Sequence, residues 1–287
     1  MHIKTSGISD VGLKREGNED YFSIEDFPGL FIVADGMGGH LAGEVASRIA
    51  VEMIIKSFQK WVEEDARETE LFGTHDSSLS ILGNYVSSSI RLANRIVYEM
   101  AKEYDQYHGM GTTAVVLFVT PEIIIAANVG DSPIFMVRDG NIEKLSKDHT
   151  LVAEQVEMNI MTAEEAETSP LRHVLTRNLG FAKNVEPDVF EIEPSNHDRF
   201  ILCSDGLTDL VSDEEILDLV QNEDDPDRLC RRFIEMSLQR GGHDNTTVIS
   251  VFLTGMKRAR ATPIRKIGQF FADLIIGMQK IIKKFKL

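Results

Sequence analysis

Short apolar runs punctuate this chain, and four of them meet an acidic residue at one end. Phe31 to Ala34 runs into Asp35 (FIVADGMGG), Ile123 to Val129 leads to Asp131 (IIIAANVGDS), and Phe200 to Cys203 leads to Asp205 (FILCSDGLTD). In the fourth, GGHDNTTVISVFL, Asp244 comes just before the run. Continuous apolar stretches of this length read as buried strands. Catalytic groups collect where rigid strands meet loops. Unpaired carboxylates are costly near a core, so several converging there point to shared cations and a multi-metal hydrolase.

The rest of the pattern assigns most of the chain. Ile3 to Val11 reads as an extended segment, followed by the polar stretch LKREGNEDYF. After a glycine-rich turn, a helix runs from about Ala42 to Val62, with Ala46, Ile49, Ala50, Met53, Ile54 and Ser57 on one buried face. An acidic, Ser/Thr-rich loop follows, and then a second helix from about Ile81 to Tyr104. From Gly111 the period changes to strands (TTAVVLFVT, IIIAANV, SPIFMVRDG, NIEKLS) joined by Pro-Glu, Gly-Asp and Asp-Gly turns. Residues 147–180 carry helical pieces and no strong strand. Strands return at Pro187 to Ile192, Arg199 to Cys203 and Thr246 to Leu253, with helices at Asp213 to Gln221 and Pro226 to Arg240. Short turns between successive strands favour antiparallel order over βαβ crossovers. The expected class is α+β: two packed antiparallel β-sheets, a β-sandwich, flanked by antiparallel helix pairs.

Charge and cysteine content narrow the function. The 287 residues carry a net charge of −16, which argues against a general nucleic-acid binder. Cys203 and Cys230 are the only cysteines, so neither a disulfide framework nor a thiolate zinc site is expected, and a reducing cytoplasm suits the chain. The first residues, MHIKTSGISD, lack the apolar core of a signal peptide. The sign of the charge reverses near the end. Residues 257–287 hold nine Lys or Arg against one acid, Asp273, a net +8 that leaves −24 on the remainder. This segment also carries apolar residues at near-helical spacing. The expected domains are therefore a catalytic domain over residues 1–255 and a basic amphipathic helical tail over 256–287. Such a tail suits docking on the protein's own body, a protein partner or an anionic membrane surface.

Hard divalent cations take carboxylates, backbone carbonyls and water. The chain offers Glu19 and Asp20 in REGNED, Asp35 with Gly36, Asp131, Asp205 with Asp209, and Asp244. Glycine after Asp35 lets backbone approach an ion, which makes the Gly36 carbonyl a candidate ligand. Arg15, four residues before Glu19, is a candidate fork for a phosphate. Two cations and an arginine suit phosphoester hydrolysis. Simpler readings compete at several positions. Asp131 also reads as a turn acid bonded to its own backbone, Cys203 as a small buried hydrophobe, and His40, His149 and His243 as groups that orient loops or carboxylates.

Eight segments in order, REGNEDYF, VADGMGGHLAGEVAS, GMGTTAVV, ANVGDS, SKDHT, LTRNLG, CSDGLTD and GGHDNTTV, resemble the motif series of the metal-dependent protein phosphatase 2C family, over about residues 5 to 254. The resemblance implies a β-sandwich with a dinuclear Mn²⁺ or Mg²⁺ centre at one end, hydrolysing phosphoserine and phosphothreonine in proteins that a serine/threonine kinase has modified. It further implies that Asp35 bridges two metals, that Asp205 and Asp244 complete one, and that Glu19 and the Gly36 carbonyl hold the other, partly through water. Asp20 would support that shell. Asp131 with Asp205 would form a third, weaker position, with Asp209 a second candidate there. Arg15 would hold the substrate phosphate while a metal-bridging water attacks directly. Two departures stand out. Pro133 follows GDS where many relatives carry arginine, and Met37 occupies the place where some eukaryotic members carry a histidine acid. Residues 147–172 take the place of the family's variable flap. Alternatives to the phosphatase are a catalytically weak phosphoprotein-binding regulator of the same fold, or a hydrolase of small phosphoesters.

Overall fold

The computed structural model describes residues 1–26, 29–38 and 41–255, so His40 and the basic tail lie outside the described residues. In chain order the elements are β1 (His2–Asp10), β2 (Tyr21–Glu25), β3 (Leu30–Ala34), β4 (Gly36–Met37), α1 (Leu41–Glu63), α2 (Ile81–Glu103), β5 (Gly111–Thr112), β6 (Ala114–Val119) and β7 (Ile124–Val129). There follow β8 (Ile134–Arg138), β9 (Asn141–Lys144), α3 (Leu151–Glu157), α4 (Ala163–Glu167), β10 (Asp188–Ile192) and β11 (Arg199–Cys203). The last elements are α5 (Asp205–Thr208), α6 (Asp213–Asn222), α7 (Pro226–Gln239) and β12 (Thr246–Thr254).

Two five-stranded sheets form the centre, in the orders β1-β12-β11-β8-β9 and β10-β7-β6-β3-β2. The strand pairs in both are antiparallel. The expected sandwich is therefore correct. Side-chain alternation sorts the core into layers. In β3, a strand of the second sheet, Phe31 and Val33 face the first sheet and meet Phe200, Leu202, Ile249 and Val251. Leu30, Ile32 and Ala34 face the other way, against Ala46, Ala50 and Ile54 of α1 and Val86 and Ile90 of α2. Across the first sheet, Ile201, Cys203 and Val248 pack on Leu229 and Phe233 of α7 and Ile216 of α6. Central strands buried on both faces show no polar alternation, which is why they stand out as continuous apolar runs.

Three elements escaped the sequence pattern, the two-residue β4 within the expected glycine-rich turn among them. β2 is an edge strand whose five residues are all half-buried, so it carries no apolar run and was read as part of a polar stretch. α5 is a single turn beginning at Asp205 itself. The Asp139–Gly140 pair, with φ of 49° and 80°, closes the β8–β9 hairpin as its dipeptide suggests.

Candidate metal centre

Antiparallel order explains why three acids follow their strands and one precedes. β3 and β7 both pair antiparallel with β6 and so run the same way, delivering Asp35 and Asp131 at the same end. β12 runs against β11, so Asp244, two residues before β12, lies at the same end as Asp205, two residues after β11. β1 runs against β12, and its exit feeds the loop holding Arg15, Glu19 and Asp20 to that same end. All of the acids except Asp20 line one cavity of about 810 Å³, together with Arg15, Met37 and Asn178.

Backbone hydrogen bonds hold these loops in place. The Asp35 N–H donates to Thr113 Oγ1 at 3.0 Å, and its carbonyl accepts from the Thr113 N–H and the Thr112 hydroxyl, both at 2.8 Å. The Gly36 N–H donates to the Glu19 carbonyl at 3.2 Å, which also accepts from the Ser47 hydroxyl at 2.6 Å. A Cβ on Gly36 would stand 2.2 Å from the Gly43 carbonyl oxygen and 2.5 Å from that of Glu19, so only glycine fits. Asn245 ties the loop from the other side. Its amide donates to the carbonyls of Val11 and Gly17, and its Oδ1 accepts from the Glu19 N–H at 2.8 Å.

The carboxylates crowd one another in protein surroundings. Burial, reinforced by Asp20, Asp205 and Asp131, raises the Asp35 carboxyl well above the ordinary range, and Asp35 shares a hydrogen bond with Asp205. Burial also pushes Asp20 up to about 7, against the Thr247 and Ser204 hydroxyls that favour its ionised form. Asp131 rises to about 7 through burial and the charge of Asp205, although its own backbone N–H bonds the carboxylate. Asp205 is the exception. Burial pushes it up, but His173 and Asp35 hydrogen-bond its charged form and hold it low. Several carboxylates that crowd one another in this way offer the oxygen donor set a hard divalent cation prefers.

The structure brings most of the predicted residues together at the cavity. Glu19, Asp35, Gly36, Asp131, Asp205, Asp209 and Asp244 meet at the cavity, while Asp20 is buried behind it, accepting from Ser204 Oγ at 2.7 Å. Arg15, half-exposed, pairs with Asp244 at 2.6 Å, and that bond raises its pKa further. His149 orients a loop, as its simpler reading held. Its Nδ1 accepts from the Gly130 N–H at 3.0 Å, leaving Nε2 to donate to Asp188 at 2.8 Å. Cys203 is fully buried in the core. Pro133 leaves the ligands untouched and accepts the Cys203 N–H through its carbonyl.

His173 went unnoticed in the sequence. Its Nδ1 lies 3.6 Å from Asp205 and its Nε2 3.6 Å from Asp209, and ligand atoms of Asp131, His173 and Asp205 fall within 4.8 Å of one another. The hydrogen bond to Asp205 raises the pKa of this imidazole. No spacing rule links it to Asp205, because only the folding of the α4–β10 connection brings it there.

The protein phosphatase 2C sequence pattern matches residues 11–246. A serine/threonine phosphatase of Listeria welshimeri is 32% identical over 255 residues, covering 88% of this chain and 96% of that protein. The structure of the serine/threonine phosphatase Stp1 from Staphylococcus aureus superposes with a TM-score of 0.77 at 31% identity, over 89% of this chain and 96% of that one. The catalytic domain of the serine/threonine phosphatase PstP in complex with two manganese ions superposes at 0.72 and 31% identity, over 88% and 98%. By its ordered motifs, its sandwich and its acid-lined cavity, the chain belongs to the protein phosphatase 2C family.

Proposed function

We propose that the acid-lined cavity is the catalytic centre of this serine/threonine protein phosphatase, and that it works on phosphoserine and phosphothreonine with two Mn²⁺ or Mg²⁺ ions and a third, weaker one. The observation that carries this reading is the meeting of Glu19, Asp35, Asp131, Asp205 and Asp244 from five separate chain segments at one cavity. Among relatives, the two manganese ions of the PstP complex support the count. Asp35 would bridge the pair. Asp205 and Asp244 would hold one ion, Glu19 and the Gly36 carbonyl the other, with Asp20 behind them; Asp131, Asp205 and His173 would hold the third. Bound there, the cations neutralise phosphoryl charge and lower the pKa of the attacking water.

The chain's own residues do the positioning. Thr112, Thr113 and Asn245 fix the backbone around Asp35 and Glu19, which holds the segments that carry these carboxylates in place. Arg15 offers a planar guanidinium at the mouth of the cavity for the phosphate oxygens. A cavity of about 810 Å³ admits a phosphorylated side chain with neighbouring residues. Retention of each of these acids sets aside the reading as a catalytically weak binder.

We also propose residues 1–255 as the catalytic domain and 257–287 as a separate basic segment that docks on a protein or an anionic membrane surface, in the cytoplasm, opposite a serine/threonine kinase. Among the described residues no helix is long and apolar enough to cross a membrane. The catalytic reading is tested by hydrolysis of a phosphothreonine peptide with Mn²⁺, with Mg²⁺ and with chelator, in the wild type and Asp35→Asn. Turnover that ignores chelator or survives the substitution contradicts it. Co-sedimentation with anionic vesicles, with and without residues 257–287, tests the tail.

A further inference from the structure

We propose that Phe181 forms an apolar wall of the substrate groove, and that the enzyme prefers phosphoresidues flanked by large apolar side chains. The inference rests on the phosphatase reading above and adds to it a residue that sets substrate choice. Phe181 is 79% exposed, the most open of the exposed large apolar side chains among the described residues. It lines the same cavity as Arg15 and Asp35. A single exposed apolar residue is ordinary on a protein surface and means little alone.

What sets Phe181 apart is the backbone beneath it. On one side, Leu179 is fully buried and exchanges both backbone hydrogen bonds with Thr112, at 3.0 and 2.8 Å. Gly180 takes a φ of +94°, and a Cβ there would stand 2.8 Å from both the Met110 carbonyl oxygen and Val97 Cγ1. The Gly180 N–H donates to Asn94 Oδ1 at 2.9 Å. On the other side, the same Asn94 amide donates to the carbonyls of Ala182 at 3.0 Å and Lys183 at 3.3 Å. Asn94 is itself fully buried in α2.

One buried amide thus grips the chain on both flanks of Phe181. A backbone clamped in this way fixes the point from which the Phe181 side chain leaves the chain, and so keeps the ring at the wall of the cavity. Met37 and Leu175 line the cavity with it, and Asn178 Nδ2 lies 3.2 Å from Met37 Sδ. The cavity therefore joins acidic residues that suit cations with apolar residues that suit none. An aromatic side chain with only two torsions, carried on an anchored backbone, binds a partner at low entropic cost. The occupant that fits is the phosphorylated segment of a protein, with a leucine- or phenylalanine-sized residue beside the phosphoresidue resting on Phe181.

The test compares two phosphothreonine peptides that differ only in the two residues on each side, leucine in one and serine in the other. The wild-type enzyme is expected to favour the leucine peptide in kcat/KM by about tenfold, the scale on which apolar pockets discriminate. Phe181→Ala is expected to bring the ratio of the two close to one, chiefly by raising KM for the leucine peptide, while Phe181→Leu keeps most of the preference. Thermal unfolding of each variant identifies any that fails to fold. A wild type without the preference, or an alanine variant that slows both peptides equally, overturns the proposal. A wild type that hydrolyses neither peptide strikes the phosphatase reading itself and takes this inference with it.

Discussion

Arg15 and Asp244 stand 229 positions apart in the chain, and their side chains meet at 2.6 Å. The bond joins the residue proposed to hold phosphate to one proposed to hold metal. The bond uses one nitrogen of the guanidinium, Nη2, and the group carries further N–H donors on its other nitrogens that suit phosphate oxygens. Arg15→Ala is expected to lower kcat/KM on a phosphothreonine peptide by roughly 100-fold, as for loss of a donor to a charged transition state. Arg15→Lys should recover only part of this, because an ammonium is a point charge without the fork. Steady-state kinetics on the three proteins decide it, and a lysine variant equal to wild type would remove the bidentate role.

His173 reaches Asp205 from a segment that carries none of the strand-end acids. If it completes the third position with Asp131, both His173→Ala and Asp131→Asn should raise the Mn²⁺ concentration for half-maximal binding at the weakest site by about tenfold or more. Titration calorimetry or the paramagnetic resonance of bound Mn²⁺ reads this directly. Loss of the two tight sites in either variant would place these residues elsewhere in the centre.

The crowded acids make metal-free stability depend on pH in an unusual direction. Burial pushes Asp20 and Asp131 to about 7, against 3.8 for an unperturbed aspartate. The folded chain therefore binds these protons more tightly than the unfolded one. Their contribution to stability is full below about pH 4 and is lost as pH rises through about 7. In chelator, the Tm of the wild type is expected to fall between pH 5.5 and 7.5, and Asp20→Asn to flatten that fall. Mn²⁺ should raise Tm more at pH 7.5 than at 5.5. A metal-free Tm that follows the same pH course in both proteins contradicts the assignment.

Away from the centre, Asp198 is fully buried and accepts both arms of Arg138 at 2.7 Å, plus the Ser195 N–H at 2.6 Å. Asp198→Ala strands a guanidinium between β8 and the β10–β11 turn. Breaking a buried pair costs about 3–5 kcal/mol, and about 2–3 kcal/mol is expected here because the Arg138 side chain keeps 20% of its surface open to water. Urea unfolding should show this without any change in Mn²⁺ binding.

The legible parts of the chain were those where one residue's neighbours in sequence are also its neighbours in energy. β3, β7, β11 and β12 are buried on both faces, so their apolar runs announced them, and Asp35, Asp131, Asp205 and Asp244 could be read at their ends. β2 lies at a sheet edge, half in water, and left no such trace. Glu19, Asp20 and Arg15 were legible through the motif that contains them. His173 and Phe181 were not, because each owes its position to contacts far off in the chain, with Asp205 in one case and Asn94 in the other.

Local pattern and ordered motifs by themselves determined most of the elements, the α+β class, the family and the candidate acids. Only the tertiary structure decided that antiparallel pairing brings those acids to one end of the sandwich, that Arg15 rests on Asp244, and that a buried asparagine holds an aromatic ring at the edge of the cavity. Burial and periodicity are properties of a short window of chain. Distances between segments two hundred residues apart exist only once the sheets have closed on each other.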